Sequence, residues 1–424
     1  MALEASFLMP VPKLRPLDLI AGEWSGRQAV LTRDYEGLLE SPVLVPLPVF
    51  LVALLLDGQR ETIDVQVEYA RLTGGEILPQ WDLDRIIADL DAHLLLDTPR
   101  LAARRLEIEE AYRAAPCRSL AHAGVSYPAD RDALRARLQA FIDDASAAAP
   151  ESAPSRPAGA DGLRGLLAPH IDFQRGGPSY GRAYRFLGSV PAGACAIIVG
   201  VAHAAPPAPF VLTRKGYAVT DRVLEVDAPL LDDIVSRCPF DVLAHEAVHR
   251  TEHSIEFQAV FLDHVARDRP LTIVPILCSN FEAWCGCDSP SVVPQIEAFI
   301  GALRAAIKGA RRPVLALAGV DLSHVGSRFG DGEDADPALG AAARAADLAA
   351  LDYVAAGDAE GFWRTVMADG NRHRLCGLSA IYTVLRVLSP VRGQILDYRQ
   401  GEDPAGGLVG FAAVGLHGDD VGHE

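Results

Sequence analysis

From residue 163 onward the chain alternates short, unbroken apolar runs with longer stretches in which apolar side chains recur every three or four positions. The runs at 163–168, 194–200, 271–277, 313–319 and 407–414 have the length and composition of buried strands. Between and around them, the spacing predicts helices at 181–187, 229–236, 254–267, 291–307, 335–354, 359–368 and 379–388. Elements in that order predict an α/β fold with a largely parallel or mixed central sheet flanked by helices.

The first 112 residues read differently. Pro-rich extended sequence leads into Asp57-Gly58, a turn signal between two helices, and then into helical spacing at Ile86, Ile87, Leu90, Leu94 and Leu95. This predicts a small, mainly helical, winged-helix-like accessory domain at 1–112, and a second unit beginning near Cys117. In that unit Pro128-Ala-Asp precedes Leu134, Leu138 and Phe141, the mark of a capped amphipathic helix. The stretch 146–162, rich in Ala, Pro and Ser, reads as a flexible connection to the first strand of the sheet.

Composition narrows the setting. A chain of 424 residues predicts two domains, and half of it is hydrophobic, ample for packed cores. The net charge of −17 excludes broad electrostatic affinity for nucleic acid or anionic lipid. Lys13, Lys215 and Lys308 are the only lysines, and with the many alanines this arginine bias points to a GC-rich bacterial genome. The greasiest region, 43–56, contains Pro46 and Pro48 and is shorter than the roughly 20 residues of a membrane helix. The amino terminus lacks the pattern of a secretion signal, so neither export nor a spanning segment is expected. Seven cysteines, an odd number scattered over a long chain, predict a reducing cytoplasm rather than a disulfide framework.

Chemistry-bearing residues gather at the ends of the predicted elements. His170 and His203 each follow a strand closely, and the carboxyl ends of parallel strands form the crevice where ligands bind. A third strand runs into Asp321-Leu-Ser-His324, where the two side chains can orient each other or face one cavity. His245-Glu-Ala-Val-His249 matches the zinc-hydrolase string H-E-x-x-H, although the helical periodicity starts only at Ile255, which leaves Glu252 and His253 to project into a site. Cys376 stands directly before an apolar helix, where the helix dipole favours the thiolate, a soft ligand for copper, zinc or iron. Cys278, Cys285 and Cys287 lack a second knuckle and read as incidental.

Taken in order, AHAGVSYPAD, LLAPHIDFQRGGPSYGRAY, GVAHA, EHSIEFQ, VPIL, DLSHVGSRF and LCGLSAIYTVL resemble the Memo family, and in particular its bacterial branch called AmmeMemoRadiSam system protein B. The resemblance covers about 117–415 and implies a Memo-like metal-binding domain with a fold like that of class III extradiol dioxygenases. It implies that His170, His203 and Cys376 hold an iron or copper ion, with zinc as a further candidate. It also implies that Asp321, His324, Glu252, His253 and Ser254 line the same site. The dioxygenases place a glutamate where this family has the cysteine, so the shared fold does not carry over ring cleavage. The leading expectation is a redox enzyme acting on a small molecule or peptide, beside the system's protein A and a radical SAM protein. The alternatives are a non-catalytic scaffold that binds a peptide or partner, and a zinc hydrolase using His245 and His249.

Overall fold

The computed structural model describes residues 10–147, 162–188, 190–267 and 269–418; residues 148–161 of the Ala/Pro/Ser connection therefore lie outside the described residues. The chain divides into two compact units, Met1–Ala115 and Pro116–Glu424.

In the first unit, helices Leu47–Leu55, Thr62–Leu72, Gln80–Ala92 and Pro99–Ala114 accompany a three-stranded antiparallel sheet of Asp18–Trp24, Arg27–Arg33 and Val43–Pro46. The turn at Asp57-Gly58 separates two helices as its sequence predicts, with the Asp57 carboxylate accepting from the N–H groups of Gln59 and Arg60, both at 2.9 Å. Val52, Val65, Leu83 and Leu96 are wholly buried at its centre. The sheet escapes the sequence reading because its first strand, DLIAGEW, is half-buried at best and mixes charged with apolar residues.

The second unit is built on one eight-stranded sheet. Its strands are β1 (Leu163–Ala168), β2 (Ala194–Val201), β3 (Phe210–Leu212), β4 (Leu271–Cys278), β5 (Val314–Gly319), β6 (His324–Gly326), β7 (Val391–Asp403) and β8 (Gly407–Gly418). They lie in the order β6-β8-β1-β5-β2-β4-β3, with β7 paired to β8. The middle four, β1, β5, β2 and β4, are mutually parallel, and antiparallel strands flank them on both sides. β2 shows why: seven of its eight residues are buried, so both faces need cover, the condition of a central parallel strand.

Helices supply that cover. α1 (Arg131–Ala147), α2 (Phe173–Leu187) and α4 (His253–Val265) pack on the face presented by Ala196 and Ile198. α3 (Ala228–Arg237), α5 (Pro294–Gly309), α6 (Pro337–Ala356), α7 (Ala359–Met367) and α8 (Leu378–Leu388) contribute to the core on the opposite face, with Ile197 and Val199. Each fully buried large apolar side chain contributes about 1.5–3 kcal/mol. α2 starts eight residues before its predicted onset, because Asp172 caps it by accepting from the N–H groups of Gln174 and Arg175. Its Gly-Gly-Pro serves packing: a Cβ on Gly177 would stand 2.1 Å from the Phe141 ring of α1. Among the described residues no helix is long and apolar enough to cross a membrane.

Candidate metal centre

β1 ends at Ala168, and two residues later His170 lies buried at the carboxyl edge of the sheet. Its backbone N–H donates to Asp321 Oδ1 at 3.0 Å. Its ring Nδ1 lies 3.1 Å from Gly319 O, an acceptor only, so Nδ1 carries the proton and Nε2 keeps its lone pair. β2 ends at Val201, and His203 follows. The His203 backbone N–H donates to Glu252, and its Nδ1 stands 3.0 Å from both carboxylate oxygens of the same residue. That contact fixes the orientation of the ring.

Glu252 is fixed in turn. It caps α4 by accepting from Ser254 N–H at 2.9 Å. The Ser254 hydroxyl donates to Val201 O and accepts from Val201 N–H, joining the start of α4 to the end of β2. Gly200 permits the approach, since a Cβ there would stand 2.4 Å from Ser254 Oγ. Cys376 arrives from the loop before α8, with its N–H on Leu322 O and its Sγ 3.2 Å from His170 Nε2.

One donor atom from each of His170, His203 and Cys376 lies within 4.8 Å of the others, and the same holds for His203, Glu252 and His253. The His253 ring stacks on His203 with centroids 4.7 Å apart, and its Nδ1 lies 3.3 Å from Glu252. Burial pushes His170 down to about 3, so its 3.6 Å approach to Asp321 Oδ2 is a contact of a neutral ring and not an ion pair. Burial likewise holds His253 well below the usual imidazole value. For Glu252 burial acts to raise the pKa, but His203 and His253 outweigh it and hold the carboxyl well below the usual range. The reciprocal effect lifts His203 above its ordinary value against its own burial. Asp321 is pushed up to about 6 by burial.

Two imidazole rings and one sulfur, with a donor atom of each gathered this closely, fit a copper, iron or zinc ion. The thiol departs from expectation. Burial first, and Asp321 next, push Cys376 well above the usual thiol value, so the helix dipole does not prevail and ionisation requires a cation to displace the proton.

The H-E-x-x-H reading is corrected. Glu246–Arg250 forms a short 3-10 helix, in which residues four apart do not share a face. His249 is wholly buried with both ring nitrogens engaged, Nε2 with Val211 O at 3.0 Å and Nδ1 with the Tyr217 hydroxyl at 3.1 Å. The Glu246 carboxylate accepts from the Thr213 hydroxyl and Arg214 N–H. This zinc-hydrolase site therefore has neither a shared face nor a free nitrogen on His249. The His324 Nδ1 contacts Leu322 O at 2.9 Å and its ring meets Phe329 edge-on; it and Asp321, which also accepts from His170 N–H, act on each other electrostatically. Cys278 lies buried in β4 and Cys285 bonds to Phe281 O; among the described residues neither they nor Cys287 enter a metal-competent group.

Two features carry no local signal. His122, inside AHAGVSYPAD, places its ring 5.6 Å from His253 and its Nε2 2.8 Å from Thr251 O. Arg118 and Glu256 form a fully buried ion pair; Arg118 also donates to Glu252 O and His249 O, and Glu256 accepts from Ala121 N–H, His122 N–H and the Tyr127 hydroxyl. The partners are 138 positions apart, so nothing in the local sequence pairs them.

Comparison with known proteins follows the same lines. The family model described as Memo-like protein matches residues 118–414. A MEMO1 family protein of Aquifex aeolicus is 25% identical over 95% of this chain and 99% of its own length. One of Thermus thermophilus is 29% identical over 81% and 95%, respectively. A third, from Methanopyrus kandleri, is 23% identical over 70% of this chain and 98% of its own. Because the matched span takes in most of the chain and every strand end just described, the chain belongs to the Memo family.

Proposed function

We propose that the strand-end cluster is a mononuclear metal centre held by His170, His203 and Cys376, and that the protein is a metal-dependent oxidoreductase. The observation that supports this reading is the convergence of the three donor atoms within 4.8 Å, with Nδ1 of both rings already committed elsewhere. Bound there, iron or copper would supply one-electron exchange, and zinc only Lewis acidity. The chain's own residues do the rest. Glu252 fixes the His203 ring and raises its basicity. Asp321, 3.6 Å from His170 Nε2, is placed to accept or return a proton at the donors, and His253 completes the polar wall with Glu252. His324, which interacts electrostatically with Asp321 and His170, can orient a ligand.

The test is metal analysis by mass spectrometry of anaerobically purified protein, comparing wild type with His203→Ala and Cys376→Ala. Loading should be lost in both variants. Equal loading in all three proteins removes the reading.

A second role, docking, is proposed for the first unit, with the system's protein A or radical SAM protein as partner. The Methanopyrus relative is covered almost end to end by a match to 70% of this chain, so its length leaves little room for such a unit. In this chain Leu72, Ile77 and Trp81 stand exposed there. Co-purification of the full chain carrying Ile77→Asp and Trp81→Ala should lose the partner; unchanged recovery rejects docking through these side chains.

A further inference from the structure

A cleft of roughly 630 Å³ opens beside the donor cluster, with His203 and Cys376 on its wall. That volume suits a small molecule. Part of the wall is apolar, from Val201, Ala202, Leu375 and Leu378, and part is the loop between α7 and α8, which brings Arg372 and Arg374. The loop is pre-shaped. Asn371 and Arg374 both hold φ at 53°, in the left-handed region, a conformation that costs of order 1 kcal/mol in a non-glycine residue and collects at functional sites. Leu375 N–H donates to the Asn371 side chain at 2.8 Å, and Arg374 N–H to Asn371 O at 2.8 Å.

The two arginines differ. Arg374 donates to Asp331 at 2.6 Å and to His324 O at 3.1 Å, so its guanidinium is spent on the fold. Arg372 is exposed, and among the described residues its guanidinium makes no hydrogen bond or ion pair. It acts on Asp331 only through space, and Arg374 already holds that carboxylate. In a chain of net charge −17, an uncommitted arginine on the wall of a cleft is a local attractor for anions. Glu282, also on the wall, sets a limit by disfavouring a dianion.

We propose that this cleft binds a small organic carboxylate, with its carboxylate on Arg372 and its apolar body against Val201, Leu375 and Leu378. As a statement of substrate class it rests on the metal-centre reading; as a binding site it does not. The test is calorimetric titration of the full chain, metal-stripped and metal-loaded, with phenylacetate, acetate and inorganic phosphate as probes. Phenylacetate should bind saturably and more tightly than acetate, which lacks the apolar body, or phosphate. Arg372→Ala should weaken phenylacetate about tenfold or more, and Arg372→Lys by less, since a lysine keeps the charge but not the fork. Metal content should be unchanged in both variants. Equal phenylacetate affinity in Arg372→Ala, tighter binding of phosphate, or no saturable heat in either metal state overturns the proposal. Failure of wild type to load metal, with carboxylate binding intact in the stripped protein, would instead overturn only the metal-centre reading.

Discussion

Two pairs of histidines invite the same reading and reach opposite ends. His245 and His249 stand in a string that spells a metalloenzyme motif, while His170 and His203 are 33 positions apart in sequence and spell nothing. The folded chain uses up the ring of His249 on Val211 O and the Tyr217 hydroxyl. It anchors His170 and His203 through Nδ1, on Gly319 O and Glu252, and sets His170 Nε2 against the Cys376 sulfur at 3.2 Å inside the donor cluster. The difference lies in which ring atoms the fold consumes. Spacing along the chain does not report that; the acceptors around each ring do.

The largest effect expected from this contrast is on metal loading. Removing His203 or Cys376 should lower metal affinity by more than about 100-fold, beyond the range seen when a supporting partner is lost. His249→Ala, by contrast, should leave loading per folded molecule unchanged and cost about 3 kcal/mol of stability, because a wholly buried ring leaves a cavity and Tyr217 loses a bond. Denaturant titration beside metal analysis separates the two. Metal lost with His249 and kept without His203 would invert the comparison. A smaller effect sharpens it: Glu252→Gln keeps the shape but removes the charge behind His203, and metal affinity should fall about 10–100-fold without loss of fold. Unaltered affinity would mean that the carboxylate only caps α4.

Legibility followed the same division. The central strands were plain because burial on both faces demands unbroken apolar runs, as in ACAIIVGV of β2. β7 was not, because VRGQILDYRQGED pairs on β8 with mostly half-buried side chains and mixes polar with apolar residues. The turn-like Gly-Gly-Pro hid the first half of α2, where tertiary packing against Phe141 overrides propensity. At the site, strand-end positions and the family resemblance named the residues that the structure brings together around His170 and His203. The tie between His203 and Glu252, 49 positions apart, and the contact of His122 with His253 could not be read, since each depends on how α4 meets the strand ends. The Cys376 thiol misled for a related reason: helix-end position is visible in sequence, but burial beside Asp321 is not, and burial decides its protonation.

The smallest expected effect tests the consumed ring itself, through pH. Burial pushes His249 down to about 3 in the fold, against about 6.5 in the unfolded chain. A depressed folded value means that the contribution to stability is present above about pH 6.5 and is lost as pH falls, because the unfolded chain takes up a proton that the buried ring refuses. Between pH 6 and pH 5 the wild type should therefore lose about 1 kcal/mol relative to His249→Gln, which cannot titrate at this position. The other buried imidazoles titrate alike in both proteins, so the difference curve isolates His249. Urea unfolding at pH 7, 6 and 5 measures it. Parallel stability curves would mean that the fold accepts a charged His249, with Nε2–H donating to Val211 O and Nδ1–H to the Tyr217 oxygen, and that burial does not hold this ring neutral.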